Sequence, residues 1–490
     1  MTDNNIETSV REPSLIDALI PILSLIFMLG MSVYYFGDNS SYGPNQIVLM
    51  ICTAIVIIIG VKNGHGWSTI EKAIVKGISM AMVAILILLL VGGLIGTWIL
   101  AGIVPTMIYY GLNILSPDYF YVASCLICAV IAISIGSSWT VAGTIGISLI
   151  AMAGALGLSL EITAGAIISG AYFGDKMSPL SDTTNLAPAV TGTNLFDHIE
   201  HMVWTTVPSL IIASILFLII GLQSDTAVEL SNLDATLGIL QNEFNLSIWL
   251  LIPLFLVFFM AVKKVPAIAT IFIGGLLGGV FAIIFQSDKI LAGASADLST
   301  TSHILTTVWS ALFDGYQSNS GNEVIDDLLS RGGMSSMLNT IWLIITALSF
   351  GAVLELTGLL QRIVSSILSM VRSTGSLIAS TVMTCIGCNI LTADQYMAIV
   401  LPGRMYKVEF EKRGLDPRNL SRTLEDSATM TSALIPWNTC GAFMASTLGV
   451  ATLAYLPFAF FNYLNPIISV IYGYTGFKLI PLEEGKTAEA

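Results

Sequence analysis

Apolar residues run in long stretches along most of the chain, with short polar links between them. Nine stretches approach the ~20 residues that cross the hydrocarbon core of a bilayer. They cover about residues 14–36, 45–61, 74–100, 119–134, 203–221, 246–262, 265–286, 338–360 and 450–472. Lipid offers the backbone no hydrogen-bond partners, so stretches of this length must satisfy their own polar groups as helices. The pattern therefore predicts an all-α polytopic membrane protein.

Two regions depart from this pattern, at residues 136–200 and 387–449. Short apolar pieces there are interrupted by Gly, Pro, Asp, Ser, Thr and Asn. Irregular backbone at membrane depth survives only where protein buries it or where it lines a water-filled cavity. We therefore expect broken or re-entrant helices in both regions, and we look for the functional residues there.

Composition agrees with a lipid environment and excludes several classes of function. The chain is 55% hydrophobic and 10% charged, whereas soluble domains carry about 25% charged residues. Its net charge of −13 argues against a nucleic-acid partner, because such proteins neutralise phosphates with Lys and Arg. We find no H-E-x-x-H, G-x-S-x-G or nucleotide-binding loop. We therefore predict a protein that is not an enzyme and needs no cofactor, with the lipid bilayer as its surroundings.

The basic residues predict the orientation. Most of the 19 Lys and Arg residues fall in a few links and near the chain ends, with the largest group between residues 404 and 422. Basic links face the cytoplasm, which puts both termini on the cytoplasmic side. The link at 222–245 carries Asp225, Glu229, Asp234 and Glu243 without Lys or Arg, so we expect it to be external.

The two broken regions also resemble each other. Ile135-Gly136 recurs as Ile386-Gly387, and Asp175 and Asp426 each follow the glycine of their own pair by 39 residues. The links around the two regions carry opposite charge patterns. We predict two inverted-topology repeats, at 1–230 and 231–490, with the broken helices at the midplane. Such repeats are typical of secondary transporters.

Candidate ion-binding residues of the first half fall into two segments. Small and hydroxyl residues at Gly136–Thr144 permit unwound backbone, and oxygen ligands of this kind suit Na⁺. The segment from Gly174 to Asn185 places two carboxylates, a lysine, several hydroxyls and an amide close together. Ionisable residues inside a membrane are costly and usually functional. The candidates are Ser137, Ser138, Trp139, Asp175, Ser178, Asp182, Thr183 and Asn185.

The second half supplies further candidates, namely Glu355, Asn389, Asp394, Asp426, Trp437 and Asn438. Glu355 interrupts an apolar run, and the others lie in the second broken region. Glu425 also lies there, but we expect it at the cytoplasmic mouth. A carboxylate can hold either Na⁺ or a proton, and competition for one carboxylate suffices for exchange. The candidate Na⁺ ligands are Asp175, Asp182, Asp394 and Asp426.

An organic solute is the alternative to simple ion exchange. Trp139 and Trp437 could bracket a methylated amine such as trimethylamine through cation–π contacts, with Glu355 or Asp394 as the counter-charge. Malate or lactate would instead need helix N-termini or a base, and Lys176 is the one intramembrane base.

The segment Gly174-Asp175-Lys176-Met177-Ser178-Pro179-Leu180-Ser181-Asp182-Thr183-Thr184-Asn185-Leu186-Ala187-Pro188 closely resembles the signature of the NhaC family of sodium/proton antiporters. Gly136-Ser137-Ser138-Trp139 and Gly143-Thr144-Ile145-Gly146 are similar to another stretch of that family. The sequence departs from it at Thr140-Val141, where Gly-Thr is expected.

The resemblance implies a Na⁺-coupled secondary antiporter of the bacterial inner membrane that exchanges Na⁺ and H⁺ by alternating access. The family also includes malate–lactate exchangers and transporters of small amines, so the organic-solute alternative stays open. Whether copies of the chain associate into a homo-oligomer is also left open.

Overall fold

A computed structural model describes residues 10–223, 230–292 and 299–482. The regular secondary structure of these ranges is entirely helical, apart from one isolated β-bridge between Leu415 and Pro481. The external link expected at 222–245 lies partly outside them, as do the first nine and last eight residues. Asp225 and Glu229 therefore lie outside the described residues.

The helices of the first half begin with two long segments and end with the longest helix of the described ranges. They are α1 (Leu15–Phe36), α2 (Pro44–Lys62), α3 (Trp67–Met80), α4 (Met82–Leu100), α5 (Ile103–Ile114), α6 (Phe120–Ile135), α7 (Ser138–Val141), α8 (Ile147–Ala155), α9 (Leu160–Met177), α10 (Asp182–Thr191) and α11 (Leu195–Gln223). A π-helical turn, Ala142–Gly146, joins α7 to α8.

The second half is divided into more pieces, and a π-helical turn, Glu425–Thr429, joins two of them. Its helices are α12 (Leu230–Glu243), α13 (Ile252–Val262), α14 (Ala267–Phe285), α15 (Ser287–Ala292), α16 (Thr300–Phe313), α17 (Glu323–Leu329), α18 (Leu338–Leu356), α19 (Leu359–Leu368), α20 (Thr374–Thr392), α21 (Gln395–Lys412), α22 (Pro417–Leu424), α23 (Met430–Ser432), α24 (Thr439–Leu448), α25 (Thr452–Tyr455) and α26 (Phe460–Thr475).

Nine helical segments within the described ranges are long and apolar enough to cross a membrane, and two sharply bent pairs raise the number to eleven. This confirms an all-α, multi-pass membrane protein. Two of the predicted single spans are wrong. The run at 74–100 divides at Ala81 into the amphipathic α3 and the apolar α4. The run at 450–472 is broken near Pro457, because proline lacks the amide hydrogen that would continue a helix.

Two helical hairpins lie at the centre of the fold. In the first, α6 runs to a turn at Gly136, which has a φ of +75°, and α7 to α8 run back. In the second, α20 runs to a turn at Ala393, with a φ of +56°, and α21 runs back. In each turn the next residue caps the returning helix: Ser137 accepts from the Thr140 amide, and Asp394 from the Met397 amide.

The hairpins enter the protein from opposite ends of α11. The first hairpin begins beside the C-terminal end of α11, where Gly221 approaches Asp118. The second hairpin returns toward the N-terminal end of α11, where Lys407 approaches Gly192. Since α11 has 29 residues and a helix rises about 1.5 Å per residue, the two entry points are about 40 Å apart.

Each hairpin is followed by a helix that breaks near the same central level. The first is α9–α10, interrupted at Ser178–Ser181, and the second is α22–α24, interrupted at 433–438. The breaks lie in the two regions where broken helices were expected. The expected alignment of Gly136 with Gly387 is not seen. Gly387 lies inside α20, so the structural counterpart of Gly136 is Ala393. The sequence match misplaced the turn because α20 continues past Gly387 to Thr392, whereas α6 ends directly before Gly136.

Candidate functional site

A cavity of about 750 Å³ lies where the two hairpin turns and the two helix breaks meet. Apolar residues of α4 and the start of α14 form one wall, and Ala81 and Lys264 lie near its edge. The polar residues of the opposite wall are Ser137, Ser138, Thr140, Asp175, Asp182, Thr183, Asn185, Asp394, Gln395, Tyr396 and Thr439. Most of the predicted site residues of the first half therefore share one cavity.

Four helices begin at this cavity, namely α7, α10, α21 and α24. Three of them carry a side-chain cap, in which Ser137, Asp394 and Asn438 each accept a hydrogen bond from a backbone amide of the first turn. A helix N-terminus carries a partial positive charge. The cavity wall therefore combines carboxylates with four electropositive helix ends.

Asp175 is the best-positioned acid. It lies in the last turn of α9, is 9% exposed and lines the cavity. Ser138 Oγ donates to one carboxylate oxygen at 2.6 Å, and Ser181 Oγ donates to the other at 2.6 Å. The carboxylate is thus held between the first hairpin turn and the first helix break. Its two oxygens and the two hydroxyls form a set of the kind that binds hard cations.

Asp182 and Asn185 lie on the first turn of α10 and are exposed to the cavity. The Asn185 amide donates to the carbonyls of Pro179 and Ser181 at 2.9 and 2.6 Å, so it also stabilises the helix break. Ser178 is buried and accepts from the Leu180 amide at 3.3 Å. The hydroxyl of Ser178 therefore shapes the break and lies outside the cavity lining.

Asp394 lies on the second hairpin turn, is 8% exposed and lines the same cavity. One carboxylate oxygen accepts the Met397 amide at 2.8 Å. Three of the four predicted Na⁺ ligands, Asp175, Asp182 and Asp394, therefore face the cavity.

Asp426 does not join them. It is completely buried and forms an ion pair with Lys176. It also accepts from Thr205 Oγ1 at 2.7 Å and lies 3.9 Å from Arg422 Nε. Lys176 also donates to Asn465 Oδ1 at 2.7 Å. Expecting Asp426 beside Asp175 was wrong, because Asp426 lies seven residues before its helix break whereas Asp175 lies three residues before its own.

Two other candidates, Asn389 and Asn438, stabilise the second helix break from outside the cavity lining. Asn438 donates to Asn389 Oδ1 at 3.1 Å, and Asn389 donates to the Ala428 carbonyl at 2.7 Å. Both amides are fully buried. They link the second hairpin to the second broken helix and lie outside the cavity lining.

The expected pair of tryptophans around a solute does not form. Trp139 lines the cavity and stacks on Phe443, with ring centroids 4.0 Å apart. Trp437 donates its indole hydrogen to the Ile390 carbonyl at 2.7 Å and lies outside the lining. Glu355, half-buried near the end of α18, also lies outside it. An aromatic cage with Glu355 as its counter-charge is therefore not what this structure presents.

Several important residues were missed or misplaced by the sequence reasoning. Ser181 was available from the same motif as Asp175. Thr205 and Asn465 lie in apolar helices and carry no local signal. Glu425, expected at the cytoplasmic mouth, is completely buried, as are the residues of α22 that precede it from Asn419 onward.

A second cavity of about 720 Å³ is lined by Asp314, Arg331 and Asn339, among others. Helix α24 contributes to both cavities: Thr439 and Cys440 line the first, and Ala442 and Ala445 line the second. The stacked Trp139 and Phe443 rings lie at this helix. The two cavities are therefore separated by a short stretch of packed side chains.

Opposed hairpins, broken helices and a membrane-embedded cavity with buried carboxylates define a multi-pass membrane transporter. The chain belongs to the Na⁺/H⁺ antiporter family, whose sequence profile matches residues 170–477. This confirms the resemblance noted from the 174–188 motif.

Three named relatives cover most of the chain. The Na⁺/H⁺ antiporter NhaC of Alkalihalophilus pseudofirmus is 41% identical over 88% of this chain and 90% of its own. The malate-2H⁺/Na⁺-lactate antiporter of Bacillus subtilis is 36% identical over 98% of each chain. The arginine/ornithine antiporter ArcD of Halobacterium salinarum is 35% identical over 96% of this chain and 93% of its own.

Proposed function

We propose that this protein exchanges Na⁺ for H⁺ across a bacterial inner membrane, with Asp175 as the site that both ions share. The observation that carries the proposal is the placement of the Asp175 carboxylate between the Ser138 and Ser181 hydroxyls at the cavity wall. The family and the relatives described above support it.

Exchange follows from the electrostatics of a buried carboxylate. An ionised acid with no counter-ion is costly to move through a low-dielectric barrier. Either Na⁺ or H⁺ neutralises Asp175. The binding site therefore changes the side of the membrane that it faces only when one of these ions is bound. To bind Na⁺, the two serine hydroxyls rotate so that their oxygens face the ion. Asp182 and Asp394 add negative potential in the cavity that attracts the incoming cation.

Alternating access uses the two cavities. The first opens beside Lys264, in a link that the positive-inside rule puts on the cytoplasmic side, so this conformation faces inward. We infer that 1–230 and 231–490 form inverted repeats, with both termini cytoplasmic, as the opposed hairpins support. Movement of α24 and the hairpin turns would close the first cavity and open the second.

The test is a flux assay on the full chain in liposomes with a preset pH gradient and an internal pH dye. We expect added Na⁺ to collapse the gradient, and Asp175→Asn to abolish this response while the protein still inserts. Ser138→Ala and Ser181→Ala should each raise the Na⁺ concentration for half-maximal exchange about tenfold, as loss of about 1.4 kcal/mol of binding would.

The matched control is Ser134→Ala, because Ser134 is exposed and bonds only the Val130 carbonyl of its own helix. It should behave as wild type. Full exchange by Asp175→Asn would show that Asp175 is not the shared site.

A carboxylate solute is the second candidate, and one observation favours it over an amine. The cavity volume lies in the range of about 300–1,000 Å³ typical of organic-ligand sites, and four helix N-termini meet there. The same liposomes therefore receive Na⁺ with malate or lactate. No collapse of the pH gradient with Na⁺ alone, and collapse only when malate or lactate is also present, would favour Na⁺-coupled transport of a carboxylate.

A further inference from the structure

Behind the cavity lies a second group of charged side chains that the shared-site mechanism does not use. It surrounds Glu425, whose side chain is fully buried. Neither carboxylate oxygen of Glu425 makes a hydrogen bond of standard geometry within the described residues, and the hydroxyl of Thr429, one turn further on, is the donor within reach. The charged groups that act on Glu425 are Lys176 and Asp175 on α9 and Asp426 in the same turn. Arg422 and His198 lie near Lys176, and His201 and Tyr472 lie near Arg422.

Burial without a free counter-charge makes the ionised form of Glu425 costly. An ionised carboxylate in a low-dielectric interior carries a large desolvation penalty, and the neighbouring cation, Lys176, is already engaged by Asp426 and Asn465. Burial in this conformation therefore favours the neutral, protonated form of Glu425.

The neighbouring ion pair links this proton to the transport cycle. The Lys176–Asp426 contact joins the two predicted repeats, since residue 176 lies in one and residue 426 in the other. If the halves move relative to each other, Lys176 changes its distance to both acids. Approach of Lys176 to Glu425 favours ionisation and proton release, whereas its departure favours proton uptake.

The same turn of α9 connects Glu425 to the cation site. Asp175 and Lys176 are consecutive, and Thr184 Oγ1 donates to the backbone carbonyls of both, at 2.8 and 2.9 Å. A shift of Asp175 on binding Na⁺ therefore also moves Lys176.

We propose that Glu425 is a second proton-binding site, separate from the cation site at Asp175 and loaded and unloaded during each cycle. This inference rests on the proposed Na⁺/H⁺ exchange, and it assigns Glu425 one proton in addition to the proton at Asp175.

The test measures proton stoichiometry at equilibrium, which is independent of rate and of the amount of active protein. Liposomes holding the full chain are clamped at zero membrane potential with K⁺ and valinomycin, and a pH difference of about one unit is imposed. Each coupled proton multiplies the balancing Na⁺ ratio by about ten per pH unit, equivalent to about 1.36 kcal/mol. We expect a ratio of at least about 100 for wild type and a ratio about tenfold smaller for Glu425→Gln.

The matched control is Glu409→Gln, which makes the same substitution in a partly exposed ion pair with Arg413. It should keep the wild-type ratio. An unchanged ratio in Glu425→Gln, a wild-type ratio near ten, or complete inactivity of a correctly assembled Glu425→Gln would each overturn the second site. Absence of any Na⁺-driven proton flux in wild type would instead overturn the proposed function.

If Glu425→Gln does not insert, Glu425→Asp replaces it. This variant keeps an acid but shortens its reach toward Lys176. The pH of half-maximal exchange should then shift measurably, and an unchanged pH profile would count against the proposal.

Discussion

Asp175 and Lys176 are consecutive residues of α9 that belong to different sites. The Asp175 carboxylate lines the central cavity between Ser138 and Ser181. The Lys176 ammonium is fully buried and paired with Asp426. Adjacent side chains of a helix point in different directions, about 100° apart, so one turn serves both the cavity and the buried cluster.

The buried ion pair predicts a large stability effect. Lys176→Met leaves Asp426 buried without its main counter-charge, which should destabilise the protein by about 3–5 kcal/mol. Thermal unfolding in detergent measures this as a fall in Tm. The double variant Lys176→Met with Asp426→Asn should recover part of the loss, because it removes the unpaired charge.

The control for this effect is the Lys62–Asp17 pair, whose lysine side chain is 61% exposed. Lys62→Met should cost no more than about 1 kcal/mol. Equal effects of the two lysine substitutions would argue against a structural role for the buried pair.

We predict that the Phe443 ring blocks the path between the two cavities. Its ring is fully buried and stacks on Trp139. Phe443→Ala should cost about 3–5 kcal/mol of stability and should open a path between the cavities. We expect a passive proton leak in liposomes without added Na⁺. Trp309→Ala, at a 72% exposed position, should show no proton leak. Absence of a proton leak with Phe443→Ala would contradict the predicted role of Phe443 as a barrier.

Close packing of α6 against α9 depends on Gly170 and Gly174. A Cβ at Gly170 would meet the Cys125 carbonyl, and one at Gly174 would meet the backbone of Ala132. Small residues four apart allow membrane helices to approach in this way. Gly170→Ala should therefore lower the yield of folded protein sharply. Gly30→Ala, where nothing lies within 4 Å, should be neutral or stabilising, and similar yields for both would refute the packing argument.

The local stability of the loop before α17 should depend on pH. The Asp326 carboxylate accepts from Ser318 Oγ and the Ser320 amide, both at 2.7 Å. These bonds, the serine hydroxyl first, hold the pKa of Asp326 below its usual range. Because the folded pKa is lowered, the stabilisation is present above the unfolded pKa and is lost as pH falls through the folded value.

Hydrogen exchange measures this effect at residues 318–326. Protection of the Ser320 amide should be high at neutral pH and should fall when the pH drops below the unfolded pKa of about 3.9. Asp326→Asn should show low protection at both pH values. Protection that stays high at low pH in wild type would show that the carboxylate does not stabilise the loop.

Much of this protein was predictable from its sequence alone. The apolar runs predict the membrane helices, since only helices of that length satisfy their backbone in lipid. The polar interruptions mark the two regions where helices break. The cluster at 174–185 predicts Asp175 as a cation site, because residues this close in sequence stay close in any fold.

Only the tertiary structure decided which distant residues meet. Asp394 joins Asp175 at one cavity, whereas Asp426 lies 250 residues from its partner Lys176 and leaves the cavity for a buried ion pair. Glu425 and Trp437 occupy positions that local pattern could not predict. The reason is that the direction of each side chain depends on the exact helix break and on the packing of separate hairpins, and no local hydrophobic period encodes that packing.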